Sequence, residues 1–149
     1  VREIMTRQIR KKLKILFLCT GNSSRSQLAE AIVNARLGQN WEAFSAGTKP
    51  AGYVHPKALA VLSEIGIQHM GRSKPVEEFR RMDLDLVVTL CDPAAEECPA
   101  WLGKEKRVHH SFPDPAKTEG TDDQVLQAFR ALRDEMLREI IPLLEKHAD

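Results

Sequence analysis

No apolar run in this 149-residue sequence outlasts the one from Ile15 to Cys19, and that run is far too short to cross a bilayer. The basic N-terminus has neither the apolar segment nor the small-residue cleavage site of a secretory signal, so the expected compartment is the cytoplasm. An excess of charge of one sign is missing too: 22 Lys and Arg face 21 Asp and Glu, for a formal net charge of +1. No long-range field therefore recruits nucleic acid, and no basic stripe interleaves with the aromatic residues, which make up 5% of the chain. Cysteine is also scarce, at three residues, an odd number that cannot all pair within one chain. In a reducing compartment such cysteines are catalytic, metal-binding or redox-active more often than structural. Zinc is disfavoured, because Cys91 and Cys98 are too widely spaced for the usual knuckle and His109 and His110 would project in opposite directions on a strand. With no exposed apolar stripe evident, a monomer is expected, with no bound cofactor and no metal.

The length suits one domain large enough to bury a core without staples. Residues 1–12 are charged and without periodicity and read as a basic, partly disordered extension; residues 13–149 read as a single catalytic domain. Lys14 to Leu18 is rich in Ile, Leu and Phe, the composition of a strand buried on both faces of a parallel sheet. From near Ser24, apolar residues recur at helical spacing (Leu28, Ala29, Ile32, Val33, Leu37) until Gly38. Trp41 to Ala46 is a second strand, and His55-Pro56 opens a helix that Gly66 ends. A short helix is expected over Glu77 to Met82 and a third strand over Leu84 to Leu90. A further helix is expected to start with Asp92 as N-cap and Pro93 in its first turn. Val108 to Ser111 is a fourth strand, Phe112 to Ala116 a loop, and about Thr121 to His147 a long amphipathic helix that Pro142 should bend. Alternating strands and helices predict an α/β fold of three layers (α/β/α), with a four-stranded parallel sheet and the anion-binding loop after its first strand. Ligands of such sheets bind at the carboxyl ends of the strands, where Cys19, Cys91 and Asp114 all fall.

The run Cys19-Thr20-Gly21-Asn22-Ser23-Ser24-Arg25 lies between the first strand and the first helix. A loop of this length can curl so that successive backbone N–H groups point inward, with the positive end of the helix behind them. Such a nest takes a tetrahedral dianion. Its field favours thiolate over thiol at Cys19, and Arg25 can grip two equatorial oxygens. Gly21 relieves crowding, Asn22 tolerates left-handed backbone angles, and Ser23, Ser24 and Ser26 supply hydroxyls. A cysteine at a strand end can equally be a buried small hydrophobe, and an Asp before Pro, as at Asp114, can be simply a turn former.

Cys19 to Glu30 (Cys-Thr-Gly-Asn-Ser-Ser-Arg-Ser-Gln-Leu-Ala-Glu), Phe44 to Gly47 (Phe-Ser-Ala-Gly), Val88 to Asp92 (Val-Thr-Leu-Cys-Asp) and Phe112 to Ala116 (Phe-Pro-Asp-Pro-Ala) together resemble the thioredoxin-coupled arsenate reductases, which share the fold of the low-molecular-weight protein tyrosine phosphatases. The similarity covers nearly everything after Lys12. It implies that Cys19 attacks arsenate while Asp114 protonates a departing oxygen. Cys91 then attacks Cys19, releasing arsenite, and Cys98 attacks Cys91, leaving a disulfide for thioredoxin to reduce. The implied oxyanion-binding set is Thr20, Gly21, Asn22, Ser23, Ser24, Arg25 and Ser26. If 92–97 is helical, Cys91 and Cys98 lie ~10.5 Å apart along the axis. A disulfide needs Cα atoms within about 7 Å, so the segment is expected to unwind on oxidation. The alternative is a phosphatase of the same fold that hydrolyses aryl phosphate monoesters through a Cys19 thiophosphate, with Cys91 and Cys98 as bystanders. Some relatives bind potassium through residues matching Asn22, Glu30 and Ser45 plus an Asp in the segment equivalent to Gly71 to Pro75. Lys74 stands here where that Asp is needed, so no potassium site is expected and the ammonium is expected beside Glu30 or Asn22.

Overall fold

The computed structural model describes residues 11–91 and 106–148. Four strands, β1 (Leu13–Cys19), β2 (Trp41–Gly47), β3 (Leu86–Thr89) and β4 (Lys106–His109), form one sheet in the order β2-β1-β3-β4. Every pair is parallel. Cys19 pairs with Gly47, and Leu18 with Thr89, so the carboxyl ends of the strands share one edge. Among the described residues the α-helices are α1 (Arg25–Arg36), α2 (Pro56–Ser63) and α3 (Asp122–Lys146).

Alternation along β1 divides the core into two layers, because successive side chains of a strand face opposite sides of the sheet. Ile15 and Phe17 join Leu28, Ile32, Leu62, Phe129, Met136 and Ile140 in a cluster that seats all three helices on one face. Leu16 and Leu18 join Val76, Phe79, Leu84 and Val87 on the other. There the chain makes a 3-10 turn, Val76–Phe79, shorter than the helix expected over Glu77 to Met82. Pro75 precedes it in extended backbone, and its two apolar residues, Val76 and Phe79, face the sheet.

The final strand also starts earlier than expected, at Lys106 instead of Val108. As an edge strand it is exposed along most of its length and carries little apolar signal, whereas its register is set by pairing with β3. Thr121 and Gln124 close a capping box at the start of α3. Pro142 lies within that helix. The expected helix after Cys91, with Asp92 and Pro93, lies outside the described residues, as do the first ten residues of the extension expected over 1–12; Lys11 and Lys12 are exposed and irregular. No helix among the described residues is long and apolar enough to cross a membrane.

Arg133 fastens α3 to α2. Its NH1 donates to the carbonyl of Val61 in the last turn of α2 (2.9 Å) and to Oε1 of Glu64 (2.8 Å), while Nε holds Asp134 (2.9 Å). Glu64 also receives Arg130. A carbonyl at a helix C-terminus lacks an intrahelical partner, so the guanidinium satisfies a group that would otherwise be buried unpaired. Replacing Arg133 by Met should cost about 2 kcal/mol in urea denaturation. A loss under about 0.5 kcal/mol, the scale of an unremarkable surface change, would contradict this role.

Candidate active site

The loop between β1 and α1 is shaped by where its carbonyls go. Thr20 O accepts from Lys49 N (3.0 Å), Gly21 O from Ala51 N (2.8 Å) and Ser23 O from His55 N (2.9 Å), all donated by the segment joining β2 to α2. Asn22 O accepts from the side chain of Gln27 (3.1 Å). A trans peptide sets C=O and N–H on opposite sides, so carbonyls drawn outward turn the amides of Gly21, Asn22, Ser23 and Ser24 inward. Asn22 sits at φ 49, the only non-glycine residue at positive φ among those described, as its side-chain type allows. Gly47 makes room: a Cβ there would lie 2.4 Å from Thr20 O. Ser73 adds a bond from its hydroxyl to Gly21 O (3.0 Å).

Cys19 is a free, buried thiol at the end of β1. The proton directions around it follow from one backbone amide. Lys74 N donates to Asn22 Oδ1 (2.9 Å), so Asn22 Nδ2 must face Ser26 Oγ (2.7 Å) and donate to it. The Ser26 hydroxyl proton is then free to point at Cys19 Sγ, 2.8 Å away. Asn22 N donates to the same sulfur (3.3 Å). Sulfur thus accepts two hydrogen bonds, one from a hydroxyl and one from a backbone amide.

In front of the sulfur is a cavity of about 240 Å³ lined by Cys19, Thr20, Gly21, Asn22, Ser23, Ser24, Arg25, Asp114 and Lys117. Every expected oxyanion-binding residue is on this wall except Ser26, which supports the thiol. Arg25 is buried; its NH2 lies 3.7 Å from Asp114 Oδ2 and its NH1 3.5 Å from Phe112 O. Asp114 Oδ1 caps the 3-10 turn Pro115–Lys117 by accepting from Ala116 N (3.0 Å), so one carboxyl oxygen anchors the turn and the other faces the guanidinium. Ser24 Oγ is the one buried side-chain oxygen or nitrogen without a hydrogen-bond partner among the described residues. An oxyanion in the cavity would supply that partner. Lys117 was not singled out by sequence; its place three residues after Asp114, on a turn, is what brings a second cation to the rim.

Residues 14–148 match the family of low molecular weight phosphotyrosine protein phosphatases. The chain belongs to that family. An arsenate reductase from Halalkalibacterium halodurans is 45% identical over 130 residues, spanning 87% of this chain and 93% of the relative. A solved arsenate reductase in the phosphate binding state superposes with a TM-score of 0.71 at 30% identity, covering 90% of this chain and 98% of that one. A low molecular weight protein tyrosine phosphatase from T. tengcongensis gives 0.70 at 28% identity, covering 91% and 99%.

Beside the loop of this phosphatase-fold chain lies a second charged cluster. Lys74 Nζ is 3.6 Å from Glu30 Oε1, 3.3 Å from Ser45 Oγ and 3.0 Å from Arg72 O, and Ser45 donates to Glu30 (2.9 Å). Of the two expected positions, beside Glu30 or Asn22, the ammonium takes the one beside Glu30, and Asn22 meets only the backbone amide of Lys74. Burial is the main influence pushing Lys74 below the ordinary lysine value, and Glu30 opposes it. A larger cavity of about 730 Å³ opens over this cluster and the edge strand β2, away from the thiol. Cys91 is fully buried two residues beyond β3 and does not line the cavity at Cys19; Cys98 and the segment expected to unwind lie outside the described residues. His109 and His110 do go separate ways, to Thr89 Oγ1 (2.6 Å) and Glu139 Oε1 (2.8 Å). Among the described residues no group of three metal-ligating side chains is placed to hold an ion.

His55 joins the loop to the last helix. Its N–H holds Ser23 O, its Nδ1 accepts from Lys57 N (3.1 Å), and its ring lies 4.6 Å from that of Phe129. Burial holds His55 below the ordinary histidine value, with Lys57 adding to the effect and Asp114 opposing it. Between the folded and unfolded values the folded state binds fewer protons, so stability is lost as pH falls through that window and kept above it. Replacing His55 by Asn, which keeps a capping acceptor, should flatten the fall in melting temperature between about pH 7 and about pH 5. An unchanged profile would contradict this assignment.

Proposed function

We propose that the protein reduces arsenate to arsenite through a relay of Cys19, Cys91 and Cys98, with thioredoxin as the final reductant. The observation that carries this reading is the convergence of a free thiol, a buried guanidinium, a carboxyl and an unpartnered buried hydroxyl on one small cavity. Relatives named arsenate reductases support the choice of oxyanion. In the first step the Cys19 sulfur attacks arsenic(V), and Asp114 protonates the departing oxygen, which leaves as water. In the second, Cys91 attacks the Cys19 sulfur; the S–As bond breaks with its electron pair on arsenic, which leaves as arsenite, and a Cys19–Cys91 disulfide remains. Cys98 then attacks Cys91, returning Cys19 as thiolate and leaving the Cys91–Cys98 disulfide, which thioredoxin reduces. In this reading no cofactor is bound, and the enzyme works as a cytoplasmic monomer that meets thioredoxin in passing.

The second reading is hydrolysis of aryl phosphate monoesters, favoured by the same Cys19, Arg25 and Asp114 constellation and by the family's name. It shares the first chemical step but needs neither Cys91 nor Cys98. Arsenate-dependent oxidation of NADPH in the presence of thioredoxin and thioredoxin reductase should proceed with the parent protein and collapse, by about 100-fold or more, in the Cys98→Ser variant, because the relay loses its last thiol. Hydrolysis of an aryl phosphate by that variant should stay within about twofold of the parent. Sustained arsenate turnover by Cys98→Ser, or none by the parent, would sink the relay.

We further propose that Lys74 serves as a tethered cation in place of a potassium ion. The contacts of its ammonium with Glu30, Ser45 and Arg72 O support this. Exchanging sodium for potassium at equal ionic strength should leave the KM for arsenate unchanged. A clear fall in KM with potassium would reverse the assignment.

A further inference from the structure

Three of the four carbonyls that shape the anion loop are held by backbone amides, which no substitution removes short of proline. The exception is Asn22 O, held by the Gln27 side chain at 3.1 Å. That peptide matters most where the backbone is least comfortable, since Asn22 is the residue at positive φ. Its carbonyl and the Ser23 N–H are opposite ends of one planar unit. Rotation of the unit would turn the Ser23 amide out of the cavity that Ser23 lines.

Gln27 is itself fully buried and fully committed. Its Nε2 donates to Asn22 O and to Arg72 O (2.9 Å), two acceptors that cannot donate in return. The amide orientation is therefore fixed, and Oε1 faces His69 Nε2 at 2.8 Å. That nitrogen must carry a proton. Glu30 Oε2 lies 3.7 Å from the same nitrogen and favours the same assignment. Gly71 packs directly on this contact: a Cβ there would stand 2.3 Å from both Gln27 Oε1 and His69 Nε2. Room for the Gln27–His69 bond thus depends on a residue without a side chain.

We infer that Gln27 is a positioning residue that aims the Ser23 amide at the bound oxyanion, and that His69 orients Gln27 for this task. The inference rests on reading the Cys19 loop as an oxyanion site, and it adds two residues that touch neither the thiol nor the cavity. Gln27 stands in α1, and His69 reaches it from the segment between α2 and β3 that also supplies Ser73 and Lys74 to the loop.

Titration of the reduced protein with inorganic phosphate, followed by calorimetry, tests it. Gln27→Met keeps length and burial but removes both donated bonds, and should weaken phosphate binding about tenfold, the scale of one charge-assisted hydrogen bond. His69→Gln retains a donor for Oε1 and should bind within about twofold of the parent, whereas His69→Leu, which has none, should bind about threefold or more weakly. Gly71→Ala should resemble His69→Leu. A folded Gln27→Met protein that binds phosphate as the parent does would overturn the inference. Should that variant fail to fold, equal affinities for His69→Gln and His69→Leu would overturn it instead. A parent that binds no phosphate would overturn the oxyanion reading itself, a failure visible before any substitution is made.

Discussion

The outward pull on the carbonyls of Thr20, Gly21, Asn22 and Ser23 is the constraint on which the rest of the site depends. A loop left alone would solvate its amides and carbonyls alike, and nothing would make the amides converge. Here the carbonyls are spoken for, and the planarity of the peptide does the rest. Three of the four donors come from the single segment after β2, and that segment is in place because Gly47, paired with Cys19, allows the loop to pass within van der Waals reach. The anion cradle is therefore a property of two adjacent parallel strands and the loops that leave them.

Charge is distributed around that cradle in two separate groups. In front, Arg25, Asp114 and Lys117 face the cavity, with Asp114 held between the guanidinium and the turn it caps. Behind and to the side, Lys74, Glu30 and His69 form a cluster with little solvent access. The two meet at Asn22, whose side chain takes the Lys74 amide and passes direction on to Ser26 and so to the sulfur. The orientation of the hydroxyl proton at the Cys19 sulfur is thereby decided by a backbone group from a distant stretch of chain. Burial of Lys74 is tolerable because Glu30 and Ser45 meet it.

What the sequence made legible was local. Strand, anion loop and helix follow one another within Leu13 to Arg36, each with its own pattern, and Arg25 and Asp114 belong to short motifs. The position of the ammonium of Lys74 could be anticipated because the neighbouring carboxylate at Glu30 was already in view. Gln27 and Gly71 were not legible as functional, because Gln27 is oriented by Arg72 and His69, and Gly71 makes room for Gln27, across more than forty positions of sequence. Lys117 was hidden by the turn that Asp114 caps, since a loop assignment gives no direction to a side chain. The start of β4 was misplaced for a different reason: Lys106 and Arg107 are drawn into the sheet by pairing with Leu86 and Val87, not by any hydrophobic pattern of their own.

The stacking of His55 on Phe129 has an implication for the order in which the protein is made. Ser23 O is held by the His55 amide, and the ring of His55 finds its apolar seat on the last helix. While the chain is still being synthesised, Cys19 and its loop emerge before that helix does. A nascent chain thus carries the Cys19 thiol before it has the helix against which His55, the holder of Ser23 O, comes to rest.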